Sequence, residues 1–344
     1  MSTRLQFGVG FAANVPVANV IEAAQLAERL QYDVFWVTDS HLIVREAMVI
    51  LGALAASTSR IGLGPGVSHL AGRHPSVIAS GMATLDELAP GRIRLGFGVG
   101  DSGPLNLGVP RTSLRDLEQA VVAIRSLLRG EETQGATRSL RLSYLQKRES
   151  SPVPIYVAAS GERTLRLAGR VGDAALVSGM PDQLPKSIEL IREGEREAGR
   201  PPGATRILFW TTACVDRDRE AARAAVRGSV ARRAMNTFGR AVNDLSDEDR
   251  AALEKLQAAH QQGHRWDTDY TTLVPERWID QLAVAGTPDD VRARLERALA
   301  DGADEISCIL MSSRTSGARG TADQLELFAE TVIAPLREAH SITA

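Results

Sequence analysis

Val34-Phe35-Trp36-Val37-Thr38-Asp39-Ser40-His41 is a four-residue apolar run that stops abruptly at polar residues. A run this short reads as a buried strand whose C-terminal end opens onto something polar. The pattern returns at Ile93–Phe97, which runs into Gly98-Val99-Gly100-Asp101-Ser102. Working outward, further strands are predicted at Leu5–Phe11, Ile61–Leu63, Ile155–Ala158, Ala174–Val177, Ile207–Val215 and Glu305–Leu310. Helices are predicted between them. One starts near Pro16, with Ile21, Ala24, Leu26, Ala27 and Leu30 at helical spacing. Others are predicted at Ala47–Ala56, Ser76–Leu88, Leu114–Leu128, Glu162–Val171, Ile188–Ala198, Pro288–Leu299 and Ala322–Ala339.

Eight strands, each followed by helix, have crossovers long enough for parallel pairing. The expectation is an α/β fold, a (β/α)₈ TIM barrel spanning residues 1–344 as one domain. An open parallel sheet with an appended helical domain is the alternative. Gly130–Pro154 is a polar excursion. The helical stretch Asp218–Gln262 with Gly263–Leu273 exceeds the needs of one strand–helix unit. Residues 218–273 are therefore expected to be an insertion covering the C-terminal face of the barrel.

The 344 residues carry 40 Lys+Arg against 42 Asp+Glu, a net charge of −2, which disfavours a protein held to nucleic acid by bulk charge. Hydrophobic residues make up 44%, enough for a packed core. Cys214 and Cys308 lie far apart without CxxC spacing, so neither a disulfide framework nor a zinc ribbon is expected. Both fall on predicted strands as core residues. With no signal-peptide pattern at the N-terminus and no long uncharged apolar run, the expected location is the cytoplasm, without membrane attachment.

In a barrel of this kind chemistry sits at the C-terminal ends of the strands. That directs attention to Asp39, Ser40 and His41, to Gly64-Pro65-Gly66-Val67-Ser68-His69 with Arg73-His74-Pro75, and to Gly98, Gly100, Asp101 and Ser102. Ser160-Gly161, Ser178-Gly179, Ser312 and Ser313 complete the set. Ser160-Gly161 before a helix is either a phosphate cradle or a plain Ser N-cap. Gly96-x-Gly98-x-Gly100 lacks the third glycine of a dinucleotide fingerprint and suits a side-chain-free wall or a tight turn. His41, His69 and His74 have no metal-ligand spacing, and no metal is expected. The charge-rich stretch Arg217–Lys255 reads as a solvated helix face.

Several of these segments carry a resemblance when taken in order. They are Phe35-Trp36-Val37-Thr38-Asp39, Ser59–Val67, Arg73-His74-Pro75, and Ala83–Leu88 with Gly91-Arg92. Leu95–Ser102, Ala158-Ala159-Ser160-Gly161, Ala168–Asp173 and Gly286–Val291 follow. In order and spacing they resemble the bacterial luciferase-like superfamily, most of all its F420-dependent methylenetetrahydromethanopterin reductase branch. The resemblance implies a barrel that binds F420, or FMN, at its C-terminal face. By position, Asp39 would lie beside the ring. Gly66-Val67, with Ser68 after it, would carry a non-prolyl cis peptide backing the ring. Gly98, Gly100 and Asp101 would line the pocket, while Ser160 and Gly161 would hold the phosphate with Ser178 and Gly179 nearby.

Two departures stand out. Many deazaflavin relatives have His directly after the strand-two Asp, whereas here Ser40 intervenes before His41. Sugar-phosphate-reducing relatives have Glu where Asp101 stands, plus phosphate-binding lysines that this sequence lacks. The first reading is therefore an F420-dependent oxidoreductase of a small organic substrate, with Asp39 and Ser40, His41 or Asp101 positioning substrate and relaying a proton. The second is an FMN-dependent monooxygenase fed by a separate reductase, and the third a non-catalytic flavin-binding barrel. A homodimer is implied by the resemblance. Trp266, Asp267, Asp269 and Tyr270 are expected over the pocket.

Overall fold

The computed structural model describes residues 4–178, 181–240, 245–262, 271–314 and 317–342. The chain begins β1 (Gln6–Phe11), α1 (Val17–Arg29), β2 (Val34–Val37), α2 (Ala47–Ser57), β3 (Gly62–Pro65), α3 (Pro75–Leu88) and β4 (Leu95–Phe97). A short α4 (Ser102–Asn106) and α5 (Leu114–Leu128) follow. The polar excursion holds a hairpin, β5 (Thr133–Gln134) with β6 (Ser139–Leu140). Next come β7 (Ile155–Ala159), α6 (Glu162–Val171), β8 (Ala174–Ser178), α7 (Leu184–Glu197) and β9 (Arg206–Val215). The late segment folds as α8 (Arg219–Arg240), α9 (Asp247–Gln262), α10 (Glu276–Leu282) and β10 (Ala283–Gly286). It is followed by α11 (Pro288–Ala300), β11 (Glu305–Leu310), α12 (Gly317–Phe328) and α13 (Ala334–Ile342).

The eight expected strands form the barrel, paired in parallel in the order β3-β2-β1-β11-β9-β8-β7-β4. β10 is an addition. Of its four residues only Val284 is a strong strand former, and it pairs off the barrel path with the C-terminal part of β9. Strands β3 and β4 close the ring through two bridges, Leu63 to Ile93 and Ser68 to Phe97. Ser68 N–H donates to the Gly96 carbonyl at 2.8 Å, and Gly98 N–H donates to the Ser68 carbonyl at 3.0 Å.

Alternation along the strands sorts the core into two layers. Phe7, Val9, Phe35, Val37, Phe97, Val157 and Phe209 face the surrounding helices. Val34, Trp36, Tyr156, Leu176, Leu208 and Trp210 fill the lumen. Trp36 is fully buried, stands 5.3 Å from the Tyr156 ring and 6.2 Å from that of Trp210, and donates from Nε1 to Ser307 Oγ at 3.1 Å. Its N–H is thus satisfied inside the barrel, as a buried indole requires. Trp210 closes the lumen from above and becomes the floor of the cavity described next.

At the β3–β4 seam the backbones come so close that a Cβ at Gly96 would stand 2.3 Å from the Pro65 carbonyl oxygen. Gly96→Ala is therefore expected to cost about 3 kcal/mol, because backbone rather than a flexible side chain must move. Gly228→Ala, inside α8 with only the tip of Arg232 at 3.9 Å, is the control. It is expected to stabilise by about 0.5–1 kcal/mol through the unfolded state. Urea unfolding of both variants measures the contrast, and similar midpoints for the two would refute the packing account of the seam.

Candidate active site

The C-terminal ends of the strands surround a cavity of about 340 Å³. At the end of β2, Asp39 is almost fully buried and saturated with donors. Arg73 Nη1 donates to its Oδ2 at 2.6 Å, Arg73 Nη2 to its Oδ1 at 3.3 Å, and Ser68 Oγ to Oδ2 at 2.8 Å. A forked guanidinium with a hydroxyl fixes both the position and the charge of a buried carboxylate. Arg73 also contacts Glu46, the cap of α2. Burial acts against its charge, but Asp39 and Glu46 outweigh it and hold the guanidinium pKa above its usual value.

Around this pair the loops are knitted together. The Ser40 and Ser102 hydroxyls are 2.6 Å apart, joining the loops after β2 and β4, and Asn106 Nδ2 donates to the His41 carbonyl at 2.8 Å. His41 Nδ1 lies 3.9 Å from Asp39 Oδ1, and the His41 and His69 rings are 5.0 Å apart. The donor-type atoms of Asp39, His41 and His69 fall within 4.8 Å of one another, a convergence that sequence spacing does not reveal. Arg73 at 2.6 Å from the same carboxylate would set a guanidinium against any cation placed there, which disfavours a metal centre, while His41 Nδ1 and both ring nitrogens of His69 are buried without a hydrogen-bond partner among the described residues.

Of the residues expected at the site, Asp39, Gly66, Val67, Gly98, Gly100, Asp101, Ser160 and Ser178 line the cavity. Ser68 stands behind Asp39 as its hydrogen-bond donor. Ser40, His41 and Gly161 are placed beside the lining, and the imidazole that reaches it is that of His69. Gly179, Trp266, Asp267, Asp269 and Tyr270 lie outside the described residues. The Gly66–Val67 peptide is cis, as the resemblance implied. Glycine is required at 66 for packing, since a Cβ would stand 2.9 Å from the Trp210 ring and 3.0 Å from Trp36 Cβ.

Of the two readings of Ser160-Gly161, the plain Ser N-cap is overturned. Gly161 is the N-cap of α6, and Thr164 Oγ1 accepts from Ser160 N–H at 3.3 Å and Gly161 N–H at 3.1 Å. Ser102, at the expected strand end, lines the cavity too; Thr164, Trp210, Ser229, Arg233 and Asn236 also line it, and none of these five was assigned to the site from the sequence. The solvated-face reading of Arg217–Lys255 fails for one stripe of α8. Ser229, Arg233, Asn236 and Thr237, at helical spacing, face the cavity. Polar residues at i, i+4, i+7 and i+8 were the available signal, lost among the many charges of that helix.

The family model for luciferase-like monooxygenase matches residues 2–305. The chain belongs to the luciferase-like monooxygenase family. It is 30% identical over 313 residues to a 5,10-methylenetetrahydromethanopterin reductase from Archaeoglobus fulgidus, covering 88% of this chain and 92% of that one. Over 163 residues it is 42% identical to an F420-dependent glucose-6-phosphate dehydrogenase from Beutenbergia cavernae, 43% of this chain and 48% of that one. The coenzyme F420-dependent tetrahydromethanopterin reductase structure from Methanopyrus kandleri superposes with a TM-score of 0.79, covering 96% of this chain and 99% of that one at 24% identity. Like that luciferase-like relative, the chain folds as a TIM barrel.

His69 is 1% exposed, and burial, aided by the nearby His41 and Arg73, lowers its pKa below the ordinary 6.5, against the pull of Asp39. The unfolded chain therefore binds the proton first on acidification, and the folded state loses stability as pH falls below about 6.5. Between about pH 7.5 and about pH 5, the wild type is expected to lose more stability than His69→Gln. Urea titrations at the two pH values measure this, and parallel losses would show that His69 titrates alike in both states.

Proposed function

We propose that this chain is an F420-dependent oxidoreductase that transfers a hydride between the deazaflavin and a small organic substrate. The observation that carries the reading is one cavity joining a glycine-lined wall to the amide donors at the start of α6. It occurs in a chain whose relatives bear F420 in their names. Gly66, Gly98 and Gly100 would let a flat ring lie against backbone, and Ser160 N–H and Gly161 N–H would turn from the Thr164 hydroxyl to a phosphate. At Gly161 a Cβ would meet only Thr164 Oγ1, at 3.9 Å, so the space there is open to a ligand. When bound, the deazaflavin supplies the carbon that gives or takes the hydride.

The chain's own residues would supply position and proton balance. Asp39, locked by Arg73 and Ser68, would set a fixed negative charge beside the ring. Ser40 and His41 would hold the loops that carry it. Asp101 contacts Arg111 and accepts from Asn236 Nδ2 at 2.6 Å, so its role would be to hold α8 over the mouth. In this reading residues 218–273 form the insertion that covers the C-terminal face. His69, neutral at pH 7 because burial lowers its pKa, is the imidazole nearest a bound substrate.

Monooxygenation with reduced FMN, delivered by a separate reductase, is the second reading, supported by the description of the matching family. Among the described residues no helix is long and apolar enough to cross a membrane. Both cysteines are buried and free, which supports a reducing cytoplasm. Self-association would use the groove between α2, α3 and the β5–β6 hairpin. Met48, Leu85, Leu140 and Leu142 line that groove, and Val49, Val77 and Leu88 are exposed on the same two helices.

Titration of the purified chain with F420 and with FMN tests the assignment. Saturable binding of F420 and weak or absent binding of FMN is expected. The reverse preference favours the second reading, and binding of neither removes both. Gly161→Val should weaken F420 binding at least tenfold without changing the melting temperature, whereas a phosphate-free analogue should lose little. Equal loss for both ligands would place the damage away from the phosphate. By sedimentation the wild type should run as a dimer and Val77→Glu as a monomer, and a monomeric wild type would rule out the groove as a self-pairing face.

A further inference from the structure

The carboxylates at the mouth of the barrel are already matched, Asp39 by Arg73 and Ser68, Asp101 by Arg111 and Asn236. His69 differs. It is buried on the cavity lining, and neither ring nitrogen lies in hydrogen-bonding geometry with any described residue. The Ala71 backbone, two residues on, is the one hydrogen-bonding group that acts on the ring, and it raises the pKa as a carbonyl facing an N–H does. A carbonyl can engage only the nitrogen that carries hydrogen. In a neutral imidazole the other nitrogen keeps a lone pair, and among the described residues nothing donates to it. A buried acceptor of this kind calls for a donor.

His69 stands at the edge of the glycine wall. A Cβ at Gly100 would lie 3.2 Å from His69 Cβ, and one at Gly103 would lie 2.0 Å from Nε2, so at Gly103 only the backbone of α4 adjoins that nitrogen. The charged groups that face the ring are Asp39 at the end of β2, His41 just after it, and Arg73 ahead of α3. Asp101, paired with Arg111, and Arg233 of α8 complete the charged lining of the cavity. Burial, His41 and Arg73 keep the imidazole neutral at pH 7, while the fixed Asp39 carboxylate pulls the other way and would steady an imidazolium once a proton arrives. A neutral ring with a free lone pair beside a locked carboxylate is equipped to take up a proton.

From this arrangement, and resting on the hydride-transfer reading above, we propose that His69 is the catalytic residue that accepts the hydrogen bond of a substrate hydroxyl and takes its proton. The substrate class is therefore a small alcohol and its carbonyl product. In the oxidising direction the carbinol C–H leaves as a hydride to the deazaflavin, which is reduced. The O–H proton passes to the His69 ring nitrogen, and the electron pair left on oxygen closes the C=O bond. Reduction of the carbonyl returns the hydride to carbon and the proton from His69 to oxygen.

Calorimetric titration of the full chain, with and without F420, against cyclohexanol and cyclohexanone tests this. The two match closely in shape, and only the alcohol has an O–H to donate. At about pH 7.5 the alcohol is expected to bind about tenfold more tightly than the ketone, and to lose about tenfold in affinity at about pH 5, where a protonated ring has no lone pair. The ketone, an acceptor, should bind no more weakly at the lower pH. His69→Met should erase the alcohol preference. His69→Gln, whose amide oxygen accepts but takes no proton, should keep the preference and lose its pH dependence, whereas His41→Gln should keep both. Circular dichroism checks the fold of each variant. In the wild type labelled with ¹⁵N-histidine, the imidazole signals missing from His69→Gln should shift on addition of cyclohexanol. Equal affinity for alcohol and ketone in the wild type, including no measurable affinity for either, would overturn the proposal. So would a preference that survives His69→Met, a pH dependence that follows His41, or unshifted His69 signals. Failure of the wild type to bind F420 would defeat the cofactor assignment, yet leave the alcohol preference and its pH dependence readable in the cofactor-free titration.

Discussion

Between β3 and β4 the barrel is shut by two hydrogen-bonded bridges, at Leu63–Ile93 and Ser68–Phe97, with the Gly64–Val67 backbone between them. Both the fold and the site depend on this seam. Closure needs glycine where the backbones nearly touch, at Gly64 against the Arg94 carbonyl and at Gly96 against that of Pro65. The second bridge then sets Ser68, whose backbone pairs with β4 and whose hydroxyl donates to Asp39. Closing the ring therefore also fixes the buried carboxylate. A site built on a closing ladder resists small displacements better than one on a free loop.

The electrostatics follow the same economy. Each carboxylate at the mouth is matched by an arginine from a neighbouring segment: Asp39 by Arg73 after β3, Asp101 by Arg111 ahead of α5. Leaving a buried charge unpaired would cost several kcal/mol, roughly 3–5 for a buried pair broken on one side. Asp39, nearly inaccessible, lies close to that limit. Asp101, half-exposed, is screened and contributes far less to stability. That difference separates them: the first is a fixed part of the wall, the second a half-exposed contact to Arg111 and to Asn236 of α8.

Much of this was legible in the chain. Short, largely apolar runs marked the eight barrel strands, and several of them end in polar residues, because parallel strands covered by helices on the outside are mostly apolar and turn polar where they meet solvent or ligand. Asp39, Gly98, Gly100 and Ser160 could be placed at the mouth by position alone. What stayed hidden depended on distance in sequence. His69 meets His41 and Asp39 only after the loops following β2 and β3 fold side by side. Thr164 became visible as a cap only through donors from Ser160 and Gly161. β10 was missed because Ala283-Val284-Ala285-Gly286 is held by pairing with β9 rather than by its own propensity.

The largest omission, the cavity-facing stripe of α8, also shows how labour is divided in this barrel. The glycine wall belongs to β3 and β4 and is constrained by closure: a side chain at Gly96 strikes backbone, and one at Gly66 strikes the lumen tryptophans. The roof belongs to α8, which is attached through side chains at Thr212–Ser229 and Asp101–Asn236. Cavity-facing positions between those anchors lie apart from the strand ladder and the lumen core, whereas Val230, Ala231 and Ala234 on the same stretch are buried in a core with Cys214 of β9. Recognition can therefore vary on α8 while the wall stays as the ring of strands requires.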